Sequence, residues 1–244
     1  MEKTIFFRNS LTTIQNVYDL ERLGAGHDGF VFRFEDKALK LLKYDFQQRK
    51  EKGLMTFEKA NYFQQELQLK RITQPTDILL DIDGNYAGYA MDFLYDVIKN
   101  EKKNIGDFTC EELVISSREL EEDFNLMTKK GVKAKDINRG SYIISSDFLH
   151  LCDMDKYEMF LQPHKIEDLN KSALNFAIAK ILYYEILKLT NVDNQERKKL
   201  LNWVKRNSNS RNFINYIESE IGNEKQTPVS EYAKHLSKQL INKW

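Results

Sequence analysis

Cysteine and proline are nearly missing from this chain, with two of the first and three of the second in 244 residues. Cys110 and Cys152 cannot supply a disulfide framework. Three prolines and ten glycines, with no low-complexity stretch and no repeat, leave no flexible linker, so any boundary between lobes is a tight hinge. Net charge is missing too: 37 Lys and Arg stand against 37 Asp and Glu. No global field then points to nucleic acid or to an anionic membrane, and such partners are not expected. No apolar run approaches the length of a membrane span, and the opening MEKTIFFRNS holds too short an apolar run for a signal peptide. The cytoplasm is the expected location. What is present, 41% hydrophobic and 30% charged, is the composition of a soluble globular protein with length for one large domain or two small lobes.

The few glycines are clustered. Leu23 to Lys43 reads LGAGHDGFVFRFEDKALKLLK, with Gly24, Gly26 and Gly29 in the spacing G-x-G-x-x-G. In a dinucleotide fold such glycines lie between a strand and a helix. Here the residues after Gly29 alternate instead, with Phe30, Phe32 and Phe34 on one face and Val31, Arg33 and Glu35 on the other, which is the period of a strand. The loop therefore joins two strands. Asp36-Lys37 marks a turn, and Ala38 to Leu42 resumes an apolar strand with one lysine, Lys40, inside it. A lysine there needs a reason, because a strand lysine ordinarily lies on a solvated edge.

Further on, apolar residues including Met55, Phe63 and Leu67 near helical spacing predict a helix from about Leu54 to Ile72, ended by Gln74-Pro75. It offers Glu58 and Glu66 as carboxylates. ILLDIDGNYAGYAMDFL then reads as two strands joined at Asp83-Gly84-Asn85. Leu113, Leu120, Phe124 and Met127 predict a second helix over Thr109 to Lys130, with Thr109 or Asp107 as its cap and Gly131 as its stop. Tyr142 to Ile144 and Phe148 to Cys152 form a hairpin closed at Ser145-Ser146-Asp147, which brings Asp136 and Asp153 to one end. One carboxylate there can hold Mg²⁺, and the other can orient or accept the proton of an attacking hydroxyl. His150 reads as structural. Leu174, Ile178, Ile181, Leu182 and Leu189 predict a helix over Leu174 to Leu189, and further helices are expected near 196–206, 211–221 and 230–243. The cluster Arg197, Lys198, Lys199, Lys205, Arg206 and Arg211 reads as a solvated helix face.

Gly24-x-Gly26-x-x-Gly29-x-Val31 followed by Ala38-x-Lys40 resembles the glycine-rich loop and ATP-contacting lysine of the protein kinase-like superfamily. The resemblance implies an α+β, two-lobed fold: a small antiparallel β-sheet lobe with one helix over residues 1–94, and a mainly helical large lobe over 95–244. It implies ATP and Mg²⁺ (or Mn²⁺), with Lys40 on the phosphates and Glu66 as its ion-pair partner. Met91, Asp92 and Phe93 would line the adenine pocket, Met91 at its back and the hinge backbone beside it. Asp136 falls at the catalytic base and Asp153 at the metal. The pattern departs from the family in three places. Ala134-Lys135-Asp136 stands for His-Arg-Asp, Ser141 stands at the metal-binding asparagine, and Asp153-Met154-Asp155 stands for Asp-Phe-Gly. The last is similar to kinases of the choline and aminoglycoside type, in which Asp155 would also face the metal. No Ala-Pro-Glu follows before the Leu174 helix, which implies a small-molecule acceptor or an unusual protein one. A catalytically silent relative, acting as a nucleotide sensor or scaffold, is the alternative expectation.

Overall fold

The computed structural model describes residues 3–10, 12–96, 104–137, 141–189, 193–208 and 213–242. Seven strands, β1 (Ile5–Phe7), β2 (Thr13–Ile14), β3 (Arg22–Ala25), β4 (Gly29–Phe34), β5 (Lys37–Leu42), β6 (Asp77–Leu80) and β7 (Tyr86–Asp92), make one antiparallel sheet in the order β2-β1-β6-β7-β5-β4-β3. The alternation read in the glycine-loop strand sets its two faces. Phe32, Leu39 and Leu41 pack with Ile5 and Val17 on the outer face. The sheet curls over this cluster: β6, β7 and β5 separate Phe7 from Phe34, yet their ring centroids lie 5.8 Å apart. The inner face carries Ala38, Leu42, Tyr89 and Met91 into the main core.

Two helices, not one, cross between β5 and β6. The six-residue α1 (Phe46–Glu51) is started by the Asp45 carboxylate, which accepts from the Gln48 N–H, and is too short to show an apolar period. Thr56 caps α2 (Phe57–Glu66). This helix stops six residues before the expected Ile72 because the chain beyond it finds better partners. The buried Asp123 carboxylate accepts from the Lys70 and Arg71 N–H groups at 2.9 and 2.7 Å. The Arg71 carbonyl accepts from Leu151 N–H at 2.7 Å, and Thr73 N–H donates to the Leu151 carbonyl at 2.8 Å. A segment whose polar groups are satisfied across the fold has no need of a helical ladder.

The remaining elements are α3 (Cys110–Lys129), the hairpin β8 (Tyr142–Ser145) and β9 (Phe148–Leu151), α4 (Pro163–Leu189), α5 (Asn194–Ser208), α6 (Phe213–Ile221) and α7 (Val229–Asn242). Thr109, not Asp107, caps α3, in a reciprocal box with Glu112. Leu113, Leu120, Phe124 and Met127 are all buried. Gly131 ends the helix at φ +67°, where a side chain would also strike the Leu161 carbonyl. α4 starts well before the expected Leu174: Pro163 is its first residue, where a missing N–H costs nothing. One continuous core runs from Met55, Phe63 and Met91 through Phe124, Phe148 and Leu151 to Leu174, Ile178 and Leu182. The architecture is α+β, an antiparallel sheet joined to helices, and among the described residues no helix is long and apolar enough to cross a membrane.

Candidate active site

The site is built on β5, the strand between β4 and β7. A Cβ on Gly29 would lie 2.4 Å from the Leu41 carbonyl oxygen, and one on Gly88 would lie 2.0 Å from that of Lys40. These two glycines let both neighbours close on the middle of β5. Val31 pairs with Lys40, Lys40 with Tyr89, and Ala38 with Met91, so the five share one face of the sheet. Gly24 and Gly26 differ from Gly29. A Cβ on either would meet nothing within 4 Å, and neither has a positive φ. The chain's own packing does not require glycine at those two places. Their loop is closed by Gly26 N–H donating to the Gly29 carbonyl at 2.9 Å and by Lys43 Nζ donating to the Gly26 carbonyl at 2.6 Å.

Lys40 has its reason. Its Nζ lies 2.6 Å from Asp153 Oδ1 and 2.7 Å from Asp155 Oδ2, and the Tyr89 hydroxyl donates to Asp155 Oδ1 at 2.7 Å. Burial by itself would lower the lysine pKa, but the charges of Asp155 and Asp153 outweigh it and raise it, so the ammonium stays protonated. Burial pushes the Asp155 carboxyl up while Lys40 pulls it back. The Tyr89 phenol, raised by burial and by the same acids, keeps the proton it donates.

Two expectations about this lysine are corrected. Glu66 is the last residue of α2 and pairs with Lys130 at 2.7 Å, not with Lys40. Glu58 is also exposed. The residue that α2 does turn inward is Lys59, whose Nζ donates to the Asp155 carbonyl at 2.6 Å and the Gly53 carbonyl at 3.0 Å. Burial brings its pKa down to about 8. Asp155, expected to face a metal, is instead the buried counterion of Lys40, with 1% of its surface exposed. Its Oδ1 accepts from the Tyr89 hydroxyl and its Oδ2 lies against the Lys40 ammonium, both away from solvent.

Asp136 and Asp153 bracket the β8–β9 hairpin, and both sit at positive φ, +58° and +71°. Aspartate tolerates that region better than most residues, and such geometry gathers at functional sites. The Asp153 side chain is about half exposed. Asp136 Oδ2 lies 2.6 Å from Lys156 Nζ. Ser141 is buried, its hydroxyl donating to the Asp136 carbonyl at 3.3 Å, which makes it a brace for the Asp136 turn. The set Asp153, Ser141 and Asp155 therefore does not assemble as three metal ligands, and among the described residues no group of three or more His, Cys, Asp or Glu could hold a metal. Asp153 is the member that presents a carboxylate outward. At the end of β7, Met91 is buried behind Ala38. Asp92 pairs with Lys37 at 2.7 Å, and the Phe93 N–H already donates to the Asp36 carbonyl at 2.9 Å, which takes that donor away from a base.

Residues that spacing did not reveal hold these segments in place. Asn170, buried on α4, accepts from the Ala134 N–H at 3.0 Å and donates to the Val132 carbonyl at 2.9 Å, fixing the approach to Asp136. Arg71 reaches Glu119 at 2.5 Å and Asp147 at 2.9 Å, with His150 hydrogen-bonded to Asp147 at 2.8 Å; the imidazole is structural, its pKa lowered by burial. Only Lys59 carried a signal: four residues before Phe63 and next to Ala60, it interrupts the apolar stripe of its helix. No protein-family model matches the chain, and no curated protein matches it in sequence.

Proposed function

We propose that the chain is an ATP-dependent phosphotransferase of protein kinase-like type, moving the γ-phosphate to a hydroxyl on a protein or a small molecule. The observation that carries this reading is the 2.6 Å contact between Lys40 and Asp153, residues 113 apart in sequence. It joins the glycine-loop sheet to the hairpin that also carries Asp136. Gly24 and Gly26 support it: open space over both, with no packing need for glycine, leaves room for a ligand to lie close against the loop.

In this reading Lys40, held by Asp155 and Tyr89, sets a fixed positive charge at the phosphates. Asp136 orients the acceptor hydroxyl and takes its proton. The donor set fits Mg²⁺ of the kind that is bound by one or two carboxylates and completed by substrate phosphates. Asp153 would hold it, and it would supply neutralisation of the phosphate charge. Such catalysis rests on positioning and electrostatics, so a single outward carboxylate is compatible with it. The acceptor side is open. Asp155 is followed by α4 after residues 156–162 only, too short a segment for a long activation loop, which favours a small-molecule or atypical protein acceptor. The inward turn of Asp155 and the burial of Ser141 favour the second reading, a nucleotide sensor or scaffold without turnover.

The test follows the γ-phosphate of labelled ATP with Mg²⁺ or Mn²⁺ in the parent, Asp136→Asn and Asp153→Asn proteins. Transfer or hydrolysis that falls by about a hundredfold or more in both variants is expected. Nucleotide binding without turnover in either metal would replace this reading with the sensor.

A further inference from the structure

Lys156 follows the Asp153-Met154-Asp155 triplet directly and belongs to none of the expected roles. Its ammonium and the Asp136 carboxylate meet with 44% and 48% of their side chains exposed. The contact with Asp136 raises its pKa, with smaller contributions from the charges of Asp28 and Asp153. Two half-exposed carboxylates at the ends of the β8–β9 hairpin, Asp136 and Asp153, thus each hold a cation, Asp136 the exposed Lys156 and Asp153 the buried Lys40. Those two acids repel an arriving polyphosphate. Lys40 cannot relieve that repulsion by moving, since it is buried between two carboxylates. Lys156 can, because an exposed ion pair exchanges partners at little cost.

We propose, resting on the phosphotransferase reading, that Lys156 is a phosphate-binding residue whose ammonium passes from Asp136 to the terminal phosphate of ATP. One movement then does two things. It neutralises the group to be transferred, and it takes the ammonium off the Asp136 carboxylate that would meet the acceptor hydroxyl. No covalent step is involved.

Calorimetric titration of the full chain with ATP and with ADP, at one fixed Mg²⁺ concentration, tests this in the parent, Lys156→Met, Lys156→Arg and Asp136→Asn. Lys156→Met should weaken ATP by about tenfold, the loss of one charge-assisted contact, and ADP by no more than about twofold. Lys156→Arg should keep most of the preference for ATP. Asp136→Asn removes the competing charge and should tighten ATP by about two- to fivefold while turnover falls. An unchanged ATP-to-ADP ratio in Lys156→Met overturns the proposal and leaves the phosphotransferase reading standing. So does a rise in turnover without a change in ATP affinity, which would mark Lys156 as a clamp on Asp136. A parent protein that binds neither nucleotide defeats both.

Discussion

Two lysine–aspartate pairs of nearly equal length stand in opposite surroundings. Lys40–Asp155 is 2.7 Å long with side chains 10% and 2% exposed, whereas Lys156–Asp136 is 2.6 Å long with both side chains nearly half exposed. Distance alone would rank them together, but the solvent separates them. A surface pair contributes about 0–1 kcal/mol, because water and salt compete with each partner. A buried pair adds little net stability over an apolar replacement, yet removing one member strands the other charge at a cost of about 3–5 kcal/mol. The fold therefore fixes Lys40 and leaves Lys156 able to change partners. That difference is what a site needs if one cation is to position a ligand and another is to respond to it.

The largest expected effect breaks the buried side of this contrast. Asp155→Ala should destabilise the chain by about 3–5 kcal/mol in chemical denaturation, since Lys40 keeps only the half-exposed Asp153 and the Tyr89 hydroxyl loses its acceptor. The double variant Lys40→Met, Asp155→Leu should recover most of that loss, because no charge is then buried unpaired, while nucleotide affinity disappears. A cost for Asp155→Ala below about 1 kcal/mol would mean that water reaches Lys40 after all, and the two pairs would be alike.

A second, smaller effect tests the helix side of the same anchor. Lys59 has a folded pKa of about 8 against an ordinary 10.5. Between those values the unfolded chain still holds a proton that the folded chain has released, so this residue's contribution to stability rises with pH across that window. Below pH 8 the burden of burying its charge is present in full. Denaturation of the parent and of Lys59→Met at pH 8 and pH 10 should show the parent gaining on the order of 2 kcal/mol over the variant. A flat difference would mean that Lys59 is not held in a low-dielectric site against the Asp155 and Gly53 carbonyls.

The comparison also explains what could be read from the sequence. Alternation at Phe30 to Phe34, helical spacing at Leu113 to Met127 and the apolar hairpin around Ser146 are local periods, and each became the expected element because its own packing face was continuous. Lys40, Asp136 and Asp153 could be picked out because they interrupt or bracket those periods. That Lys40 would pair with Asp153 and Asp155, and not with a glutamate of α2, could not. Lys59 and Glu66 are two turns apart on nearly the same stripe of α2, so spacing located the stripe but not the turn, and about 10 Å of helix rise lies between them. Where α2 ends depends on Asp123, more than fifty residues away, which captures the Lys70 and Arg71 N–H groups. The inward direction of Asp155 lies in an irregular segment, where no period relates residue number to face. It is set by Tyr89 and Lys59, contacts that exist only once sheet and hairpin have met.

The smallest expected effect concerns Glu66 itself. Its pair with Lys130 joins the end of α2 to the end of α3 at 2.7 Å, on the surface. Glu66→Gln should leave the denaturation midpoint and the affinity for ATP unchanged within error, because neither partner is desolvated and neither touches Lys40. That null effect has value only beside Asp155→Asn, which keeps the side-chain volume and removes the charge at Lys40, and which should weaken ATP binding clearly. If Glu66→Gln weakened ATP binding as much as Asp155→Asn, the ligand would have to draw Glu66 away from Lys130 and in to Lys40. The anchor of Lys40 would then be a moving helix, and the buried pair would belong with the exchangeable one.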